Sequence, residues 1–100
     1  MDELRRQELE TLARRAAKSY PFRPDLLDPI FEYYYPRLRR FAFSYFHDDD
    51  QAADIAQTTI INLYRFLPGF RFESSMRSWL YQIALNEVRK EAGRETRREH

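Results

Sequence analysis

The stretch "QAADIAQTTIINLYRFL", Gln51 to Leu67, decides the fold. Its apolar residues do not alternate with polar ones, as a half-buried strand requires. They recur at intervals of three and four, which puts Ala52, Ala56, Thr59, Ile60, Leu63 and Leu67 on one stripe of a helix. A second stripe of Asp54, Gln57, Thr58, Ile61 and Arg65 follows the same spacing on another face. A solitary domain would fill that face with Lys and Glu for solubility. Ile61 beside Asp and Gln suggests a docking face, although a solvated face with one stray isoleucine gives the same periodicity.

On the N-terminal side, "HDDDQ" separates this helix from the one before it. Asp48 with Gln51 has the form of a capping box, an acid at a helix start serving free backbone N–H groups. A metal site is the rival, but adjacent carboxylates point in different directions and rarely converge on one ion. The preceding helix begins around Asp25, with Leu27, Ile30, Phe31, Tyr34, Leu38, Phe41, Ala42 and Tyr45 as its inward stripe. Pro36 removes a hydrogen bond to the Glu32 carbonyl and predicts a kink there, not a stop. A first helix, about Glu3 to Ser19, directs Leu4, Leu9, Leu12, Ala13 and Ala16 to one side. "YPFRP" then ends it, since each proline disfavours helix in the residue before it.

On the C-terminal side, "FLPGFRFESSMRSWL", Phe66 to Leu80, places Phe66, Phe70 and Phe72 around a Pro-Gly break. Aromatic rings in a turn are costly unless something stacks on them or folds over them. The fourth helix opens at Ser74 or Ser75, either a good N-cap, and runs to about Ala92, with Gly93 as its end. Met76, Leu80, Ile83, Ala84 and Val88 form its inward stripe, flanked by Trp79 and Tyr81. Arg77, Asn86, Arg89 and Lys90 lie towards the outside. Arg94, Arg97 and Arg98 alternate with Glu91, Glu95 and Glu99 in a charged tail held by weak internal ion pairs. The fold class is therefore all-α, a compact bundle of about four helices with a loop between the third and fourth. Residues 1–100 form one domain, with an N-terminal helix over about 1–20, a core over about 25–92 and a tail over 93–100.

Composition narrows the function classes. The chain of 100 residues has no cysteine, which removes disulfides and thiolate metal sites and agrees with a reducing, cytoplasmic setting. No apolar run approaches the roughly 20 residues that cross a bilayer, and "MDELRRQELE" is a charged helix rather than a signal peptide. A net charge of +1 means that any nucleic-acid binding must come from the local placement of Arg and Lys. His47 and His100 lie in poor catalytic contexts, and no phosphate-binding glycine loop or nucleophile-base spacing is present. The expectation is a protein with no enzymatic activity, no catalytic residue, no metal and no cofactor.

Two segments together carry a resemblance. "AADIAQTTIINLYRFL" followed by "PGFRFESSMRSWLYQIALNEVR" resembles region 2 of bacterial extracytoplasmic-function sigma factors, the promoter-recognition subunits of RNA polymerase. The family pattern falls on Ala52, Asp54, Gln57, Tyr64, Phe70, Trp79, Leu80, Ile83, Ala84 and Asn86 without insertion or deletion, and "FEYYYPRLRRFA" is similar to the preceding family helix. The resemblance implies that Asp54, Gln57, Thr58 and Ile61 dock on the β′ clamp helices of RNA polymerase core. Thr58 stands where the family often has Glu. It further implies that the loop and the fourth helix capture a base flipped from the non-template strand of the −10 promoter element. Phe70 and Ile83 would be wall and floor of that pocket, Phe66 its rim, and Asn86 the group at the base edge. Arg71, Arg77, Arg89 and Lys90 would contact phosphates.

Gln82, Lys90 and Gly93 depart from the family, which usually has a basic residue, an acid and an arginine there; basicity is relocated, and promoter preference with it. The family's second domain, region 4, is absent from these residues, so the sequence is expected to be an excised domain. A different account makes the chain a helical protein-interaction module, gripped for example by an anti-sigma factor, with no DNA recognition of its own. On the residues alone, Phe70 and Phe72 would plug the end of the bundle and Trp79 would fill the core.

Overall fold

A computed structural model describes residues 2–19 and 23–99. The helices are α1 (Asp2–Ala17), α2 (Pro24–Phe46), α3 (Asp49–Phe66) and α4 (Met76–Glu99), with one 3₁₀ turn, Leu67–Gly69, after α3. There is no strand among the described residues. The "YPFRP" break falls largely on residues 20–22, which lie outside the described residues, as does His100.

The helix boundaries follow local chemistry. Pro24 opens α2, where a missing N–H costs nothing. The helix continues through Pro36 to Phe46, so that proline does not stop it. His47 ends α2 in the left-handed region, φ 53°, and its N–H donates to the Phe43 carbonyl at 2.8 Å. Asp48 then caps α3, its Oδ1 accepting from the Gln51 N–H at 2.9 Å. The expected reciprocal bond from the Gln51 side chain goes elsewhere. Gln51 Nε2 donates to Glu95 Oε1 at 2.8 Å and Glu91 Oε2 at 3.3 Å.

That contact explains a difference at the C-terminus. Gly93 does not end α4; it lies inside the helix, which runs on to Glu99. Glycine in a helix interior costs about 1 kcal/mol relative to alanine. Gln51 holds the far turns of α4 against the start of α3, while Arg94 and Arg98 both reach Glu91 at 3.5 Å.

α2 and α3 form a tight hairpin and share the most extensive helix contact; α1 lies on α2 and on the 3₁₀ turn, and α4 packs on α3 and α2. Leu9, Ile30, Tyr34, Leu38, Leu63, Leu67, Met76 and Leu80 are fully buried where they meet. A smaller cluster of Ala42, Ala52, Ile55 and Val88 closes the hairpin end. The α3 core stripe is buried as expected, with Ile55 added to it. Three residues assigned to inward stripes are instead exposed: Leu4, Phe31 and Tyr45. Leu4 precedes the first buried residue of α1, Leu9. In α2 the core takes Ile30, Tyr34, Leu38 and Ala42, at four-residue steps, and Phe31 lies about 100° round the helix from Ile30. Phe31 stacks on Tyr35 at the surface instead, ring centroids 4.9 Å apart.

Two outcomes are expected. Gly93→Ala raises stability by about 0.5–1 kcal/mol in urea melts, because a Cβ there meets only the Arg97 guanidinium, at 3.7 Å. An α4 ending at Gly93 would give no such gain. The second concerns Tyr64, whose hydroxyl lies 3.5 Å from the Leu27 carbonyl oxygen. Burial, helped by Asp28, pushes its pKa up from 10.0 to about 12. The unfolded chain ionises first, so Tyr64's contribution to stability is intact below pH 10.0 and is lost as pH rises through about 12. Burial raises the Tyr34 pKa in the same sense. Urea midpoints fall across that interval, and Tyr64→Phe flattens the fall.

Candidate functional site

The segment joining α3 to α4 is anchored at both ends, since Leu67 and Met76 are each fully buried. Between them the aromatic rings fold over one another. Phe70 lies parallel to the Trp79 indole, centroids 4.2 Å apart and planes 8° apart. Phe72 tilts against the Phe70 ring at 4.5 Å, and the Arg14 guanidinium from α1 lies 4.6 Å above the Phe72 ring. Phe72 adopts φ 57°, a left-handed conformation that costs a non-glycine residue about 1–2 kcal/mol and persists only where its surroundings hold it. The loop aromatics are thus covered largely by one another and by α1.

The first turn of α4 is capped from two sides. Ser75 Oγ accepts from the Ser78 N–H at 3.0 Å, the cap expected locally. Glu10, on α1, accepts from the Met76 N–H at 2.7 Å and the Arg77 N–H at 3.1 Å. A carboxylate at a helix N-terminus also meets the positive end of its dipole.

The four residues assigned to a base pocket do not line a single cavity. Phe70 opens on a depression of about 630 Å³ with Arg71, Glu73 and Ser74, while Ile83 and Asn86 line a neighbouring one of about 420 Å³ with Asn62 and Lys90. Phe66 and Trp79 border both. Phe66 is 54% exposed, and Asn86 is exposed beside half-buried Ile83. Trp79, assigned to the core, packs against it but is only half-buried. One face of Phe70 is already taken by the indole, so the free aromatic surface is divided among Phe66, Trp79 and the outer part of Phe70.

The four cations differ in availability. Arg71 and Arg89 are exposed. Arg77 lies over the Tyr81 ring at 5.1 Å, and Lys90 pairs with Glu87 at 3.0 Å while bordering the Asn86 depression. Glu87 is itself buried, its carboxylate side chain 10% exposed.

On α3, Asp54, Gln57, Thr58 and Ile61 are all exposed on one face, Ile61 by 55%. They border a shallow groove whose other bank is Glu87, Glu91 and Arg94 of α4. Sequence spacing found the α3 bank because its residues share one helix. The α4 bank escaped it, as did Glu10, because only the packing of separate helices brings these residues together. Trp79 carried a signal as the only tryptophan, but its environment could not be told from periodicity. No group of three or more His, Cys, Asp or Glu placed to hold a metal ion occurs among the described residues.

A family model described as Sigma-70 region 2 matches residues 30–98. The RNA polymerase sigma-H factor of Pseudomonas aeruginosa is 44% identical over 43 residues, which is 43% of this chain and 22% of that protein. The RNA polymerase sigma factor YlaC of Bacillus subtilis is 35% identical over 60 residues, 60% of this chain and 35% of that protein. The chain therefore matches well under two thirds of the length of either relative. No solved structure matches significantly.

The loop stack has a direct optical test. Phe70→Ala uncovers the single tryptophan, so Trp79 emission shifts to the red and acrylamide quenching rises, while far-ultraviolet circular dichroism is unchanged. An unaltered spectrum would mean that the stack does not form in solution.

Proposed function

Because the chain belongs to the Sigma-70 region 2 family, we propose that it is the polymerase-docking and promoter-opening domain of an extracytoplasmic-function sigma factor. It holds RNA polymerase core through the β′ clamp helices and captures a base flipped from the non-template strand of the −10 element. The domain performs no chemistry; RNA synthesis belongs to the polymerase. The observation that carries this reading is a pair of surfaces of different make-up that adjoin at Glu87. A mixed polar and apolar face with Asp54, Gln57, Thr58 and Ile61 lies on the middle of α3, and an aromatic-bordered pair of depressions lies at the α3–α4 junction.

Each surface suits its task. Asp54 and Gln57 offer acceptors and a donor to side chains of a coiled coil, while Ile61 supplies apolar area, the mixture found in protein interfaces. A flipped base needs a π-face and an edge partner. Phe66, Trp79 and Phe70 offer the first, and the Asn86 amide, with donor and acceptor together, offers the second. Arg71 and Arg89 stand exposed for phosphate, Arg77 would leave its position over Tyr81, and Lys90 would divide its charge between Glu87 and the strand. Strand binding by this domain is therefore modest and falls with added salt as counterions are displaced.

The two surfaces separate by mutation. Asp54→Ala or Gln57→Ala weakens binding to core polymerase by roughly tenfold, about 1.4 kcal/mol, and leaves strand capture intact. Asn86→Ala does the reverse, lowering the anisotropy response of labelled non-template −10 single strands and sparing polymerase binding. Equal loss of both activities in every variant would instead indicate misfolding.

A further inference from the structure

A continuous line of contacts runs from α1 to the aromatic loop. Glu10 and Arg14 are one turn apart on α1 and so share a face. The Glu10 carboxylate takes the Met76 and Arg77 N–H groups, at 2.7 and 3.1 Å, and the Arg14 guanidinium covers the Phe72 ring. Phe72 leans on Phe70, and Phe70 is stacked on Trp79, which borders both depressions. We propose that Glu10 and Arg14 are positioning residues for base capture, acting through the start of α4 and the strained Phe72 to hold Phe70 and Trp79 in place. This rests on the base-capture reading of the preceding section.

The arrangement is more than a local helix start needs. Ser75 already supplies the near cap, to the Ser78 N–H, yet the N–H groups of Met76 and Arg77 are served by a side chain 66 and 67 residues away. A left-handed phenylalanine has no intrinsic reason to remain so, and the cation above its ring comes from α1. The attachment of α1 itself does not depend on these two residues. Leu9, Ala13 and Ala16 are fully buried, and Asp2 accepts from the Tyr33 hydroxyl at 3.0 Å. Loss of Glu10 or Arg14 should therefore loosen the loop and leave α1 seated.

The test compares the wild-type chain with Glu10→Ala, Glu10→Gln and Arg14→Ala. Three quantities are read: acrylamide quenching of Trp79, affinity for fluorescein-labelled single strands carrying each base in turn at the captured position, and affinity for core RNA polymerase. Glu10→Ala should raise quenching and lower affinity for the preferred strand about fivefold, if the stability of roughly 1 kcal/mol that a helix cap supplies is spent on holding the loop in its binding form. Glu10→Gln, which keeps one acceptor oxygen, should fall between it and wild type, and Arg14→Ala should also raise quenching. Polymerase affinity should not move. Wild-type quenching and strand affinity in both Glu10→Ala and Arg14→Ala would overturn the proposal, as would an equal loss of polymerase affinity, the sign of general unfolding. If Trp79 responds but the wild-type chain prefers no strand, the base-capture reading fails and the hold of α1 on the loop stands.

Discussion

The burial of Leu67 and Met76 is the constraint on which the functional end of the molecule depends. Each is fully buried, and they bracket the loop, so the segment between them cannot drift from the core even though its only helical part is the 3₁₀ turn. A loop fixed at both ends can carry bulky aromatic rings, because those rings have somewhere to pack. Phe70, Phe72 and Trp79 use this, covering one another where isolated rings would lie open to water. Without the two anchors, Phe70 and Phe72 would expose apolar rings to water, an aggregation hazard.

α3 has to satisfy two demands at once. Its inward stripe, from Ala52 to Leu63, forms much of the core, while Asp54, Gln57, Thr58 and Ile61 stay exposed on the other side. A helix has room for both because a buried stripe takes little more than 100° of its circumference. On that outer face Ile61 is 55% exposed, so only part of its apolar surface is covered on folding. Ile61 shares that exposure with Leu4, Tyr45 and Phe66, and differs from Leu4 and Tyr45 in facing a groove between α3 and α4.

The sequence made the helical class and the core of α3 legible because both rest on near-neighbour spacing. Asp48 at the start of α3 was legible for the same reason, since a cap acts within one turn. Gly93 misled because glycine's local preference was outweighed by a distant contact, Gln51 to Glu95, that no local pattern records. Leu4, Phe31 and Tyr45 misled because apolar character was taken as burial, whereas geometry gave the core to residues on one narrow seam. Within the site, single-helix faces were found and inter-helix arrangements were not. The bond from the start of α4 to the Glu10 carboxylate of α1, the Glu87 and Glu91 bank opposite Asp54, and the division of the expected pocket between two depressions all depend on how helices meet.

The tight α2–α3 hairpin also bears on how the molecule is assembled in time. Its helices are joined by only His47 and Asp48, and their contact is the largest in the structure, so the entropy lost in closing that connection is small. The hairpin is thus the natural first unit to form. The aromatic loop belongs at the other extreme, because its order waits on a bond between residues 66 positions apart in the chain. Surfaces completed last are also the first to open, without unfolding the rest. A loop ordered in this way can part and reclose against a hairpin that stays folded beneath it.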